Sequence, residues 1–341
     1  MTNSNQVTID QKLTDRYKKV VFWTIVTLYV LIMVGGIVRA TGAGMGCPDW
    51  PRCFGSWVPP TEVSQLPENY QEIYGAKLKG EVIFNPVKTW IEYVNRLFGV
   101  FTGLWIIATV VVSIPLRKIG LSSVFNLSVV ALIFVLLQGW LGAKVVSSEL
   151  HPVMITLHML FAIVIVFILL WAYAKVSHTS NVVVWNTSRS GTNKLLYFVL
   201  ALSVIQILIG TQVREEMDHV IFRLGYENRD QWMENMELPF WIHRSFSIVV
   251  LVANVLLVRS VMKNTTKHVL VSKITNWILI SLGIEILLGI ILSYFSVPAF
   301  AQPTHLTVAV LMLGLQFVLY LFLNSDVVFS KRGEEVLTEG I

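Results

Sequence analysis

Residues 119–143 read IGLSSVFNLSVVALIFVLLQGWLGA, a run bounded by Lys118 and Lys144 with no charged side chain inside it. A helix needs roughly 20 apolar residues to cross the hydrocarbon core of a bilayer. Such a segment is predicted to be helical because lipid offers the backbone no hydrogen-bond partners, so its N–H and C=O groups must satisfy one another. The same charge gap recurs between Lys19 and Arg39 and between Lys194 and Arg214. Over the whole chain 55% of residues are hydrophobic and 14% charged, with a mean hydropathy of +0.66. Soluble domains carry roughly 25% charged residues, so the chain reads as an integral membrane protein.

Hydropathy predicts eight spans, at about 20–41, 90–114, 119–143, 154–174, 195–213, 238–262, 274–296 and 303–324. The last two share one uncharged run and are divided at Ser296–Val297–Pro298 and Pro303. The N-terminus is polar and basic, with no short apolar segment ahead of a small-residue cleavage site, so no removable signal peptide is expected. Orientation follows from the basic residues. An inward N-terminus puts Lys12, Arg16, Lys18, Lys19, Arg117, Lys118, Lys175, Arg189, Lys194, Arg259, Lys263, Lys267, Lys273, Lys331 and Arg332 on the inner side. Both termini are then cytoplasmic in a multi-pass protein of the cell membrane. The net charge of +5 is accounted for by this bias and calls for no nucleic-acid partner.

The two cysteines, Cys47 and Cys53, fall in GCPDWPRC within the first outer loop, 42–89. On an oxidising face a disulfide is favoured. A thiol pair cycling with a partner is the other reading, and the sequence does not separate them.

The second half echoes the first. Gln138, Gly142 and His158 are each followed 147 positions later by Glu285, Gly289 and His305, and Asn95–Arg96 is followed 148 later by His243–Arg244. Gly35 precedes Arg39 by four residues, as Gly210 precedes Arg214. The expected fold is therefore all-α, with eight transmembrane helices forming two pseudo-repeated four-helix bundles. The division is a segment at 1–19, a bundle at 20–176, a linker at 177–194, a second bundle at 195–324 and a tail at 325–341.

His158, His243 and His305 each lie a few residues inside spans running inward, roughly 5–8 Å below the outer surface at about 1.5 Å per residue. Asn95 occupies the fourth, repeat-equivalent place. A lone intramembrane histidine is often a helix-packing contact. A matched pair across one bundle, His243 with His305, is a known way to hold a heme iron at both axial positions. His151 and His219 are expected in outer loops, and His178 and His268 near the inner surface, all solvated.

Arg39, Arg96, Arg214 and Arg244 gather at the same outer level. Such arginines suit the anionic propionates of a heme; snorkelling to lipid headgroups is the alternative. Glu92 opens the second span three residues before Asn95, so the two share a helix face. It is a candidate proton handler, and an ion pair with Arg96 at i+4 can coexist with that role. Glu285, in the middle of the seventh span, is expected to make a structural hydrogen bond.

The eight spans, GAGMGCPDWPRC, IEYVNR and the TLH, IHR and PTH histidines together resemble the heme A synthase family, from about Val20 to Leu323. The resemblance implies an enzyme that oxidises the C8 methyl of heme O to the formyl of heme A by successive hydroxylations, supplying cytochrome oxidases. It implies a resident heme b on His243 and His305, a substrate heme in the first bundle with His158 as its iron ligand, and Glu92 as an important carboxylate. A membrane-bound heme O synthase and an electron donor are implied partners. Many members have His where this chain has Asn95. Either the first bundle has lost activity, or one ligand suffices and leaves the opposite iron face open; retained Glu92, Arg96, His158 and both cysteines favour the second. A b-type electron-transfer cytochrome would explain the second bundle but not Glu92. A transporter would need midplane helices broken by Gly or Pro, which the spans lack.

Overall fold

The computed structural model describes residues 2–75, 84–177, 183–266 and 268–329. His178, Lys267, Lys331 and Arg332 lie outside them. Among the described residues eight helices are long and apolar enough to cross a membrane, and no strand forms. They are α1 (Thr2–Ala40), α2 (Pro86–Ser113), α3 (Ser122–Ser147), α4 (Pro152–Ser177), α5 (Ser190–Leu224), α6 (Leu238–Asn264), α7 (Val269–Tyr294) and α8 (Ala301–Leu323). The chain is a multi-pass membrane protein.

The expected division of the last uncharged run holds, because α7 ends at Tyr294 and α8 begins at Ala301. Two boundaries differ from expectation by more than ten residues. α1 begins well before Val20, and α5 continues past Val213 to Leu224. Helix propensity does not stop where hydrophobicity does: Glu, Gln, Lys and Arg are good helix formers. Arg214 is therefore inside α5 rather than at its end, and His219 belongs to that helical extension rather than to a loop.

α1 packs on α2, α4 and α8, while α5 packs on α4, α6 and α8. α3 pairs with α4 as α7 pairs with α8. The centre of the molecule is thus built from α1, α4, α5 and α8. One apolar core runs through Leu28, Ile106, Ile165, Leu169 and Leu313, and another through Leu196, Leu257, Ile278 and Leu319. Large apolar side chains such as Val100, Leu104, Leu136, Ile248 and Leu287 point outward, as a lipid-facing surface requires. α1 approaches α8 so closely at Gly36 that a Cβ there would stand 2.8 Å from Pro303.

The turns α3–α4 and α7–α8 share an unusual backbone. Glu149 and Leu150 have φ of 54° and 63°, and Ser296 and Val297 have φ of 52° each. The left-handed region costs an L-residue roughly 1–2 kcal/mol. At the second turn Arg229 offsets this by donating from Nε to Ser296 O at 2.7 Å and from Nη2 to Val297 O.

α6 and α8 stand across from one another, each packed on α5 and α7. A fully buried hydrogen bond joins them, from Gln316 Nε2 to Asn254 Oδ1 at 2.9 Å. Asn254 and Gln316 lie eleven residues beyond His243 and His305 respectively, about three helical turns. Register between the two helices is therefore held at two depths. Asn254→Leu or Gln316→Leu should each lower thermal stability in detergent, because the remaining partner is left unsatisfied. The double variant should recover part of the loss, giving a coupling of about 0.6–1.7 kcal/mol in a double-mutant cycle; strictly additive losses would show that the bond is not felt.

Candidate functional site

Each helix that carries a candidate histidine or Asn95 starts with a proline in its first turn: Pro86, Pro152, Pro239 and Pro303. Proline is pre-set for that position and loses no hydrogen bond there. α2 is also capped by Asn85, whose side chain accepts from Lys88 N at 3.1 Å. These starts fix how far along each helix the polar residues lie. All four helices begin at the end of the bundle that carries the Cys47–Cys53 loop.

In the second half, the rings of His243 and His305 face one another with centroids 6.2 Å apart and planes at 74°. Imidazole–metal bonds run about 2 Å, so two such bonds plus the half-widths of the rings fill a separation of this size. Nδ1 of His243 is buried without a hydrogen-bond partner. The Nδ1 edge of His305 faces Glu285 Oε2 at 3.0 Å, which leaves Nε2 as the nitrogen for a metal. These two imidazoles, 6.2 Å apart, are the side chains that would hold a heme iron; Gln206 Nε2 lies 3.5 Å from His243 Nε2. Among the described residues no group of three or more His, Cys, Asp or Glu side chains converges.

Small residues make room beside the rings. A Cβ on Gly210 of α5 would lie 3.3 Å from His243 Cε1, one on Gly142 of α3 would lie 3.6 Å from His158 Cε1, and one on Gly35 of α1 would lie 3.8 Å from Asn95 Oδ1. Amide side chains hold the neighbouring backbone: Gln206 Nε2 donates to His243 O at 3.1 Å and Gln138 Nε2 to His158 O at 2.8 Å. Nδ1 of His158 and Oδ1 of Asn95 are buried without partners.

Glu92 is 4% exposed, and both its oxygens are engaged. Oε1 accepts from Arg96 Nη2 at 2.5 Å, the i+4 ion pair, and Oε2 accepts from Cys47 N at 2.7 Å. Cys47 and Cys53 are joined in a disulfide, the pairing favoured from the sequence. Arg96 spends its terminal nitrogens on the same loop, donating also to Cys47 O, Asp49 O and Arg52 O at 2.8–2.9 Å. The Asp49 carboxylate in turn accepts from Phe54 N and Gly55 N at 2.6 and 2.9 Å. Glu92, Arg96 and the disulfide loop are thus one knot over the start of α2.

Arg39 and Arg214 meet across the centre. Asp218 accepts from Arg39 Nη2 and, at 2.6 Å, from Arg214 Nη2. Arg214 also donates to Arg39 O and to Gln302 Oε1, both at 2.9 Å. Arg39 Nε and Nη1 and Arg214 Nε remain buried without partners. Arg244 is exposed, 3.2 Å from Tyr294 Oη, with its guanidinium over the Trp241 and Tyr294 rings. His151 precedes α4 and His268 precedes α7.

Asp218, Gln206 and Asp49 escaped the sequence reading. Asp218 stands at i+4 from Arg214, a spacing that would have exposed it had α5 been drawn past Val213. Gln206 carried no signal, since one amide in an apolar helix has no motif around it.

A family model described as COX15-CtaA, cytochrome oxidase assembly protein, matches residues 18–317. The chain is 28% identical over 234 residues to the heme A synthase of Shewanella oneidensis, covering 67% of this chain and 68% of that protein. It is 26% identical to the heme A synthase of Wolbachia sp. subsp. Brugia malayi, over 89% of this chain and 97% of the relative. The heme A synthase of Rickettsia akari is 25% identical, over 90% and 98% respectively. With eight membrane helices, facing imidazoles and a match across most of its length, this chain belongs to the COX15-CtaA family of cytochrome oxidase assembly proteins.

Proposed function

We propose that this protein is a heme A synthase, oxidising the C8 methyl of heme O to a formyl group by successive hydroxylations to make heme A for cytochrome oxidase. The observation that carries the reading is the His243–His305 pair, whose ring spacing of 6.2 Å accommodates an iron, in a chain resembling heme A synthases over most of its length. In this reading the resident group is a heme b, which supplies one-electron chemistry when bound. His243 and His305 hold it, and Gly210 leaves the space that a ring at its distance requires.

The two halves, 20–176 and 195–324, act as substrate and cofactor bundles. Their duplication is supported by the paired left-handed residues, since Glu149–Leu150 and Ser296–Val297 are again 147 positions apart. The first bundle binds heme O through His158. Asn95, opposite in the repeat, offers a neutral amide oxygen in place of a second imidazole. One strong ligand suits a substrate that must enter, react and leave, because two would hold the iron at both faces. Ile106 and Leu169 stand where the second bundle has Asn254 and Gln316, so the substrate bundle lacks the polar tie between its diagonal helices.

Arg39 and Arg214 are suited to heme propionates, because each retains buried N–H donors after binding Asp218. Arg244 is an exposed third candidate. Arg96 is committed to the disulfide loop, and its role in this scheme is to hold that loop and Glu92. Glu92 is placed to hold or pass a proton near the substrate, which requires one of its two hydrogen bonds to exchange. The Cys47–Cys53 end faces outward and both termini are cytoplasmic, in the cell membrane. A heme O synthase delivers the substrate; molecular oxygen is the oxidant for each hydroxylation, and a separate electron donor supplies the two electrons that each oxygen cleavage consumes.

Co-expression with a heme O synthase, followed by heme extraction and chromatography, tests the assignment. Heme A or its hydroxylated precursor is expected; heme B beside unconverted heme O would support an electron-transfer cytochrome instead. His243→Ala and His305→Ala should each abolish the bound heme b, and a wild-type spectrum in both would rule that pair out. Glu92→Ala should keep heme binding while cutting heme A yield by about 10²–10⁴-fold, the usual worth of a proton-transfer group. Undiminished yield would reduce Glu92 to a clamp for the loop.

A further inference from the structure

Among the described residues, one carboxylate lies within ion-pairing distance of a histidine: Glu285 of α7, whose Oε2 is 3.0 Å from His305 Nδ1. Both side chains are largely buried, at 13% and 24% exposed. Ile284, Ile286, Leu287 and Leu288 surround Glu285 in sequence, and its Oε1 has no hydrogen-bond partner. The approach to His305 is close without hydrogen-bond alignment, since Nδ1 also counts no partner by angle. A modest turn of the imidazole would align it. A carboxylate in a membrane helix is expensive and is kept where it does something, and nothing else in the described structure accounts for this one.

Gln138, 147 positions earlier, bonds the main-chain oxygen of His158, and Gln206 bonds that of His243. Neither places an acidic oxygen at Nδ1. Among the described histidines only His305 has one.

We propose that Glu285 is a positioning residue for heme ligation: it accepts the Nδ1 proton of His305, fixes the tautomer that presents Nε2 to the iron, and makes that imidazole the stronger donor of the His243–His305 pair. A second-shell acceptor of this kind orients a metal-bound imidazole and raises its basicity. Greater ligand basicity stabilises the oxidised iron and lowers its reduction potential. The inference rests on the reading of His305 as a heme ligand. It makes the two imidazoles unequal, and it makes the His305 site unlike the His158 site by one buried charge-bearing side chain.

The test uses the full chain purified with its heme, as wild type, Glu285→Gln, Glu285→Leu and His305→Ala. Heme content, midpoint potential and the low-spin EPR signature are read for each. Glu285→Leu, which has no acceptor, should weaken heme retention by about 10–100-fold and raise the potential of the heme that remains. Glu285→Gln, isosteric but neutral, should restore retention and raise the potential by less. A potential and EPR signature unchanged in Glu285→Gln and in whatever folded Glu285→Leu is recovered would overturn the positioning role, provided His305→Ala has lost its heme. Heme retained with a wild-type spectrum in His305→Ala would instead overturn the ligand assignment beneath it. A purely packing role for Glu285 would change yield and melting temperature but not the potential.

Discussion

Hydrocarbon cannot hydrogen-bond a guanidinium or a carboxylate, and the disulfide-loop end of this protein is organised around that cost. Four arginines stand where the helices leave the apolar core, and the three that have acidic partners are collected into two knots. In one, Glu92 and Arg96 close on the Cys47–Cys53 loop. In the other, Asp218 bridges Arg39 of α1 and Arg214 of α5. A buried ion pair is stable only when its remaining donors and acceptors are also satisfied. The first knot nearly meets that condition within the protein. The second does not: Arg39 Nε and Nη1 and Arg214 Nε stay buried without partners, which is why the proposed function gives this knot the anionic propionates.

The central helices turn these knots into a frame. α1 and α5 carry one arginine each of the Asp218 bridge and belong to different halves, while α8 presses Pro303 against α1 at Gly36. The position of His305, two residues beyond Pro303, is therefore tied to both halves at once. Arg229 holds the strained turn just before α8, so the helix that presents this imidazole is fixed at its start, at its contact with α1 and, deeper, at Gln316. Such a pre-set geometry is what the proposed ligation by His243 and His305 would demand, because metal–imidazole distances vary little.

The halves share a frame but fill it differently. Where the second has His243, Glu285, Asn254 and Gln316, the first has Asn95, Gln138, Ile106 and Leu169. Every one of these exchanges removes charge, a ligand or a polar tie from the first half. A tightly held cofactor and a passing substrate would place opposite demands on the same architecture, and the proposed function assigns the two halves accordingly. The disulfide knot over α2 belongs to the first half alone and ties its loop to the start of that helix.

Much of this was legible in the residue order. Helix number followed from charge gaps, because the bilayer imposes both a length and a composition on anything that crosses it. The histidine positions, the 147-residue echo and the Glu92–Arg96 spacing were legible too, since helical periodicity converts sequence distance into a shared face. Which groups meet across helices was not. That Glu92 also binds Cys47 N, that Arg96 serves the loop, that Asp218 joins Arg39 to Arg214, and that Glu285 turns to His305 all depend on contacts between segments many residues apart. Sequence spacing constrains neighbours along one helix, but the rotation of one helix against another is decided only by how all eight pack together.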